Sequence, residues 1–336
     1  MNIGIVNLET WAFFKEVYAE LERHHTISQF KPHQVNLPVF NERINRSIFQ
    51  RGLEDFLRTN QVVFFEWASE LLAAASHLPK TCVIVTRLHR YEMYQWVNQV
   101  NWDNVDRIIL VSEAKRQEFA TRFPYQAEKL VVIPESIPLE KFPLLDKPYH
   151  QDLGILCNLT PRKRVYELIL AFAGQELDKL GFHLHIGGGE HPRFGDYYTA
   201  LDSLVHKLKL QDKVTFYGHI KDALSFYRNV DIFISNSFNE GLQVSPMEAI
   251  ASGCYCFSHW WAGAEELLPE ENLFLTDIDL RSLIISYDRL SNQAKQLCRE
   301  KIRNNVVERF DSAKISHQIR AVVEGAAVTI PKEQKI

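Results

Sequence analysis

Two acidic residues, Glu240 and Glu248, lie eight positions apart in the segment SFNEGLQVSPMEAIASG. The segment follows an apolar run that predicts a buried strand, and its second half predicts a helix. Ser245 and Glu248 occupy the N-cap and capping-box positions of that helix, which has Pro246 in its first turn and ends at Gly253. A glycine loop before a helix N-terminus offers free N–H groups and a positive dipole end, which attract phosphate. Because carboxylates accept hydrogen bonds from hydroxyls, the segment predicts a site for a sugar nucleotide.

The whole segment also resembles the E-x7-E signature of retaining glycosyltransferases of family 4 (glycosyl transferases group 1), which have the GT-B fold. By this resemblance Glu240 lies near the transferred sugar and Glu248 near the nucleotide ribose. The loop residues that the resemblance places against the donor sugar and diphosphate are Gly241, Leu242, Gln243 and Val244. Two simpler interpretations stay open, because helix capping alone explains Glu248 and a solvated loop alone explains Glu240.

A second candidate segment, CNLTPRKRVYELILAF, passes from a strand into a helix and has three cations at the predicted helix start. Arg162, Lys163 and Arg164 gain nothing there from the helix dipole, so their position favours an anionic ligand over a solvated basic turn. The segment resembles the family's diphosphate-binding loop, with Lys163 at the family lysine. The family arginine is replaced by Asn158, and the sequence leaves open whether Arg162 or Arg164 replaces it.

Two glycine-containing segments precede Glu240 along the chain. The glycine triplet around Gly188 lacks the G-x-G-x-x-G spacing of dinucleotide-binding proteins and resembles the family's glycine loop beneath the donor. Gly218, His219 and Ile220 resemble the loop whose backbone contacts the nucleotide base. The order and spacing of these segments relative to Glu240 match the family across about half of the chain.

One histidine, His89, directly follows a predicted strand in the first half of the chain. At the carboxyl end of a strand it could hydrogen-bond a sugar or a phosphate, and the family often has a histidine nearby that contacts the donor sugar. The alternative is an ordinary surface histidine. Arg87 and Arg90 are weaker candidates for the same region.

Composition excludes several classes of protein. The 336 residues are 46% hydrophobic and 24% charged with a net charge of −4, so we expect a globular chain that does not bind nucleic acid. Five cysteines, an odd number without metal-site spacing, predict reduced thiols. No signal peptide or membrane-spanning segment is predicted, so we expect a cytoplasmic protein; peripheral contact with the inner membrane face stays open.

Apolar strand-like runs alternate with amphipathic helical runs along nearly the whole chain. This alternation predicts parallel sheets with crossover helices, arranged as two doubly wound Rossmann-like domains, and the GT-B resemblance adds that they face a cleft. The same resemblance implies an acceptor-side domain over residues 1–140, joined by a C-terminal helix at about 312–330, and a nucleotide-sugar domain over 150–311. The predicted strands are 3–8, 35–40, 62–65, 82–88, 107–111, 130–133, 153–156, 183–186, 214–217, 231–235, 254–258 and 273–275.

No cofactor and no metal are expected. Asp277 and Asp279 form a D-x-D string, which holds a metal in other glycosyltransferase folds, but here it follows the last predicted strand and is a coincidence. Lys163, a neighbouring arginine and the helix N-terminus can stabilise a departing diphosphate without metal.

These observations together predict a retaining glycosyltransferase that moves a sugar from a nucleoside diphosphate sugar to a glycan, a lipid-linked saccharide or a small molecule. Glu240, Lys163 and His89 are the predicted catalytic residues. Two alternatives stay open: a GT-B epimerase of sugar nucleotides, and a non-catalytic protein that kept this fold for binding or assembly. A nicotinamide oxidoreductase lacks its phosphate-binding fingerprint.

Overall fold

The protein forms two compact units in a computed structural model that describes residues 1–32 and 41–328. The first unit is Met1–Glu135 together with the chain from Ser312 onward, and the second is Ser136–Asp311. Each unit has one six-stranded parallel sheet with helices packed against it. The predicted class, α/β with two parallel sheets, is confirmed.

The sheet of the first unit has the strand order β2-β1-β3-β4-β5-β6, and every neighbouring pair is parallel. Its strands are β1 (Asn2–Val6), β2 (Thr26–Gln29), β3 (Val62–Phe65), β4 (Val83–Leu88), β5 (Arg107–Leu110) and β6 (Leu130–Val132). Its first five helices are α1 (Lys15–His24), α2 (Asn41–Thr59), α3 (Glu70–Ser76), α4 (Glu92–Gln95) and α5 (Glu113–Arg122).

The sheet of the second unit has the order β12-β11-β10-β7-β8-β9 and is also parallel throughout. Its strands are β7 (Asp152–Leu156), β8 (His183–Gly187), β9 (Val214–Phe216), β10 (Ile232–Ser235), β11 (Tyr255–His259) and β12 (Leu273–Phe274). The helices that follow α5 are α6 (Val165–Gly174), α7 (Gly195–Lys207), α8 (Ala223–Tyr227), α9 (Val244–Ala251), α10 (Asp277–Asp288), α11 (Asn292–Arg309) and, in the first unit, α12 (Ser312–Val328).

The strands are continuous apolar runs, because helices cover both faces of each sheet and bury the side chains on both. In β3 all four residues are buried: Val62 and Phe64 belong to one core cluster, and Val63 and Phe65 belong to another. The two clusters therefore correspond to the two faces of the sheet, since side chains alternate along a strand.

Helix α12 is packed against α1 within the first unit. Its apolar stripe of Ile315, Ile319 and Val323 is buried in the same core cluster as Val62. Outside that stripe, Arg320 Nε donates to Glu20 Oε1 at 2.9 Å. A spacing of four residues places the stripe on one helix face.

Most predicted strands are present with ends that differ by one or two residues, and one strand was missed. Strand β2 is mostly exposed at a sheet edge and has the sequence TISQ, so it has no apolar run that would indicate a strand. The predicted strand at residues 35–40 falls outside the described residues.

Gly154 provides a test of the packing in the second sheet. A Cβ atom at this position would lie 2.4 Å from Val230 Cγ2, and Val230 is fully buried. We expect Gly154→Ala to reduce the free energy of unfolding by about 1–3 kcal/mol, because a packed core resists added volume. Gly174→Ala is the matched control, since nothing lies within 4 Å of its Cβ position at the end of α6. Equal melting temperatures for the two variants would show that this contact is not tight.

Candidate functional site

Two loops lie side by side at the carboxyl edge of the second sheet. Strands β7 and β10 are hydrogen-bonded neighbours, so the loops that follow them emerge together. Asn236 Nδ2 donates to the carbonyl oxygen of Arg164 at 2.9 Å, and Arg162 Nη1 donates to that of Asn239 at 3.0 Å. The two segments predicted from sequence as sites are therefore joined by hydrogen bonds.

Glu240 is the shared acceptor of these loops. Its Oε1 atom accepts hydrogen bonds from Lys163 Nζ at 2.7 Å and from Gln243 Nε2 at 2.8 Å, and it also forms an ion pair with Arg162. The residue is only 7% exposed. Burial opposes its ionisation, but the charges of Lys163 and Arg162 outweigh burial and lower the pKa of Glu240 to about 2. Glu240 is therefore a carboxylate at any physiological pH.

Arg164, the third cation of the predicted cluster, is placed differently. It has a left-handed backbone with φ of 52° and precedes α6, which begins at Val165 after a short 3-10 turn at Pro161–Lys163. Its charge acts on His259, whose pKa is lowered by burial and then by Arg164. Arg162 and Lys163 thus contact Glu240, whereas the charge of Arg164 acts on His259.

The predicted capping box at Ser245 and Glu248 is wrong. Helix α9 begins one residue earlier, at Val244, with Gln243 at the N-cap and no side-chain cap hydrogen bond. The Gln243 side chain instead bonds Ser235, Ser237 and Glu240. The Gln243 side chain therefore bonds the preceding strand end and loop instead of capping the helix. Gly253, with φ of 93°, does follow the helix end as predicted.

Glu248 faces a buried phenol. Tyr227, at the end of α8, is fully buried, and its hydroxyl donates to Glu248 Oε2 at 2.9 Å and lies 3.1 Å from the carbonyl oxygen of Ser245. Burial raises the pKa of Glu248 to about 7, and the hydrogen bond from Tyr227 opposes part of that rise. Glu248 therefore changes charge near neutral pH, whereas Glu240 does not.

The glycine loops adjoin the same sheet edge. Gly188 has φ of 140°, and a Cβ atom there would lie 2.1 Å from the carbonyl oxygen of Cys157, so only glycine fits. Its N–H donates to the carbonyl oxygen of Gly218 at 2.9 Å, which joins the loops after β8 and β9. In the segment 218–220, which was predicted to contact the nucleotide base, His219 is exposed and Ile220 packs against the core.

The predicted donor loop is largely buried. Gly241 and Leu242 are buried, and the Leu242 side chain belongs to the hydrophobic core of the second unit. Gln243 is 7% exposed, while Val244 is half-buried as the first residue of α9. Lys163, Gln243 and Ser245 also line a small recess between the ends of β7 and β10.

His89 belongs to the first unit and is buried, so the surface interpretation is wrong. Its Nδ1 lies 2.6 Å from Glu135 Oε1, and its ring stacks on Trp67 with centroids 4.0 Å apart. Burial lowers the pKa of His89, but the neighbouring carboxylates, Glu135 first, outweigh it and raise the pKa to about 10. His89 is therefore an imidazolium at neutral pH.

Sequence reasoning missed several partners of these residues. Glu66 and Trp67 directly follow a buried strand, which is a position that could have indicated them. Glu135 lies in a proline-rich stretch that predicts only a linker, and Tyr227 is one aromatic residue among many in an apolar run. No local sequence pattern distinguishes Glu135 and Tyr227, because their partners lie far away along the chain.

Asp279 has a structural role as a helix-capping residue. It lies in a capping box with Thr276 at the start of α10, where its carboxylate accepts the N–H of Thr276 at 2.9 Å. Among the described residues, no group of three or more His, Cys, Asp or Glu side chains is placed to hold a metal ion. Within residues 1–32 and 41–328, no helix combines the length and apolar character needed to cross a membrane.

Similar proteins define the class of this fold. The crystal structure of Anabaena HepE in complex with UDP and glucose matches with a TM-score of 0.78 at 18% sequence identity, over 96% of this chain and 99% of that one. The two-unit architecture is thus the GT-B fold. Residues 149–277, which lie within the second unit, match the family described as "Glycosyl transferases group 1".

Two curated relatives match part of the chain. The alpha-monoglucosyldiacylglycerol synthase of Streptococcus pneumoniae is 29% identical in an alignment of 175 residues that covers 46% of this chain and 38% of that protein. The mannosylfructose-phosphate synthase of Agrobacterium fabrum is 24% identical over 233 residues, or 66% and 45% respectively. The matched stretch therefore spans less than half the length of either relative.

Proposed function

We propose that this protein is a glycosyltransferase that uses a UDP-sugar as donor and transfers the sugar with retention of configuration, as members of family 4 do. The observation that supports this most directly is the contact of Glu240 with Lys163 and Arg162 at the sheet edge of a glycosyl transferases group 1 domain. The HepE complex with UDP and glucose supports the choice of donor.

Lys163 and Arg162 are the proposed ligands of the donor diphosphate. Their charges converge on a single carboxylate oxygen, so they are held at a spacing that suits two negatively charged groups. Arg162 would supply the second cation that Asn158, an exposed amide, does not. Charge develops on the diphosphate as the bond to the sugar breaks, so fixed cations would stabilise the transition state.

The two glutamates would bind hydroxyl groups. Glu240, kept ionised by Lys163 and Arg162, would accept hydrogen bonds from the transferred sugar while the two cations also contact the diphosphate. Glu248 would accept them from the ribose. The donor loop 241–244, Gly188 and the segment 218–220 would surround the nucleotide. No resident metal is part of this proposal, and the acceptor would be a saccharide, free or lipid-linked.

A thermal-shift measurement with UDP and UDP-glucose tests donor binding. A ligand that binds the folded state must raise the melting temperature. We expect both ligands to raise it for the wild type and the shift to be largely lost in Lys163→Ala and Arg162→Ala. Lys179→Ala is the matched control, because Lys179 is an exposed lysine of the same unit that pairs with a surface glutamate, Glu176.

Incubation with UDP-glucose separates the proposed transfer from its alternatives. We expect release of UDP that depends on Glu240, measured with Glu240→Gln. An altered sugar formed from donor alone would indicate an epimerase. Binding of UDP-glucose without any turnover, across a panel of saccharide acceptors, would favour a non-catalytic protein, and absence of binding would refute the donor assignment.

The pKa of Glu248 predicts how donor affinity depends on pH. An ionised carboxylate accepts hydroxyl hydrogen bonds better than a protonated one, so UDP-glucose affinity should rise with pH through about 7. Tyr227→Phe removes a hydrogen bond that favours the ionised form. We expect it to move the midpoint upward, to weaken binding roughly 3- to 10-fold at pH 7 and to restore it at pH 9.

Calorimetric titration with UDP-glucose measures this shift, because its diphosphate is esterified at both ends and, unlike that of UDP, has no proton to lose near pH 7. Tyr149→Phe is the control, since Tyr149 also donates to a carboxylate of the second unit, Asp288, at 2.9 Å. Glu248→Gln should flatten the pH dependence. An affinity of Tyr227→Phe that stays reduced at pH 9 would contradict the proposed coupling to Glu248.

A further inference from the structure

Four charged side chains are buried together at the carboxyl edge of the first sheet. Glu66 follows β3, Arg87 lies near the end of β4, His89 follows β4, and Glu135 follows β6. Each is less than a tenth exposed. We call these four residues the buried quartet. Burying a charged side chain costs free energy, because the charge loses its hydration, and buried charges are therefore usually paired.

Glu135 is the residue that connects the two cations of the buried quartet. Its Oε1 lies 2.6 Å from His89 Nδ1, and its Oε2 accepts from Arg87 Nη2 at 2.5 Å. Arg87 is itself fixed, because its Nη1 also donates to Glu66 Oε1 at 3.2 Å. Both oxygens of Glu135 are therefore occupied, and the carboxylate has one orientation.

The contacts of His89 differ between its two nitrogens. Nδ1 has the short contact with Glu135, whereas Nε2 has no hydrogen-bond partner among the residues that the structure describes. Glu66 Oε1 lies 3.3 Å from Nε2 as an ion-pair contact. The ring cannot turn freely, since one face stacks on Trp67. Glu92 Oε1 accepts the His89 backbone N–H at 3.3 Å, which holds the main chain as well.

The charges around the ring decide its protonation. Glu66 and Glu135 supply two negative charges, and Arg87 supplies one positive charge. The buried quartet is therefore neutral only if His89 carries a second positive charge. Burial and Arg87 both oppose a charged ring, and the carboxylates overcome them. Glu92, which accepts the backbone N–H of His89, is a further titratable group nearby; burial, opposed by the charge of His89, raises its pKa to about 7.

We propose that Glu135 is a positioning residue that keeps His89 permanently protonated, so that Nε2–H is a hydrogen-bond donor to a substrate oxygen and His89 does not accept a proton. The substrate oxygen, of the donor sugar or of the acceptor, rests on the proposed glycosyltransferase function. Glu135 is preferred to Glu66 for this part because it lies closer to the ring, and because both of its oxygens bind cations.

Nitrogen NMR of the histidine side chains tests the protonation directly. The chain has 13 histidines, and His89→Gln identifies the signal of His89. In the wild type we expect His89 to stay an imidazolium from pH 6 to pH 8.5. In Glu135→Gln we expect it to lose its proton within this interval, because Arg87 then opposes the charge with less compensation. Glu140→Gln is the control, since Glu140 is an exposed carboxylate five residues further on.

The pH dependence of UDP-glucose turnover gives the second readout. We expect Glu135→Gln to approach wild-type turnover at pH 6 and to fall roughly tenfold below it at pH 8.5, as His89 loses the proton that Nε2 donates. Glu135→Asp keeps the charge and should lose less than Glu135→Gln at pH 8.5. A purely structural part for Glu135 would reduce turnover equally at both pH values.

The outcomes distinguish this inference from the proposed function. A wild-type His89 that titrates near pH 6.5 overturns the inference whether or not the protein turns over UDP-glucose. An imidazolium signal that persists without any turnover leaves the charge of His89 established and refutes the proposed function instead. If Glu135→Gln does not fold, the wild-type titration and Glu135→Asp decide the matter.

Discussion

The ion cluster at Glu240 is the constraint on which the arrangement of the second unit's edge depends. A buried carboxylate loses its hydration, and only well-placed partners offset that loss. Lys163 and Arg162 from one loop and Gln243 from the other supply those partners. The loops after β7 and β10 must therefore stay side by side, which the adjacency of these two strands in a parallel sheet ensures. The cluster also keeps two cations directed at one carboxylate oxygen.

Burial has opposite consequences for the two glutamates of the E-x7-E segment. Glu240 meets cations and is always ionised, whereas Glu248 meets the neutral hydroxyl of Tyr227 and changes charge near pH 7. His89 in the first unit resembles Glu240 in this respect, because opposite charges fix its state. Of these three predicted site residues, Glu248 alone titrates in the neutral range.

Several features of the fold and site were predictable from residue patterns. Continuous apolar runs locate most strands of the two parallel sheets. Strand β2 was missed because an exposed edge strand has no such run. The capping box failed for a different reason: the helix begins after Gln243, whose side chain hydrogen-bonds Ser235 and Glu240 in the preceding strand and loop rather than the helix N-terminus.

The sequence by itself determined the fold class and the types of side chain at the strand ends, because apolar periodicity and glycine positions act locally. Tertiary structure alone decided which of those side chains meet. Lys163 and Glu240 are 77 positions apart, and His89 and Glu135 are 46 positions apart. Each pair is brought together by the order of strands in a parallel sheet. The charge state of each site residue follows from those neighbours and from burial, and neither is encoded by the residue's own position in the chain.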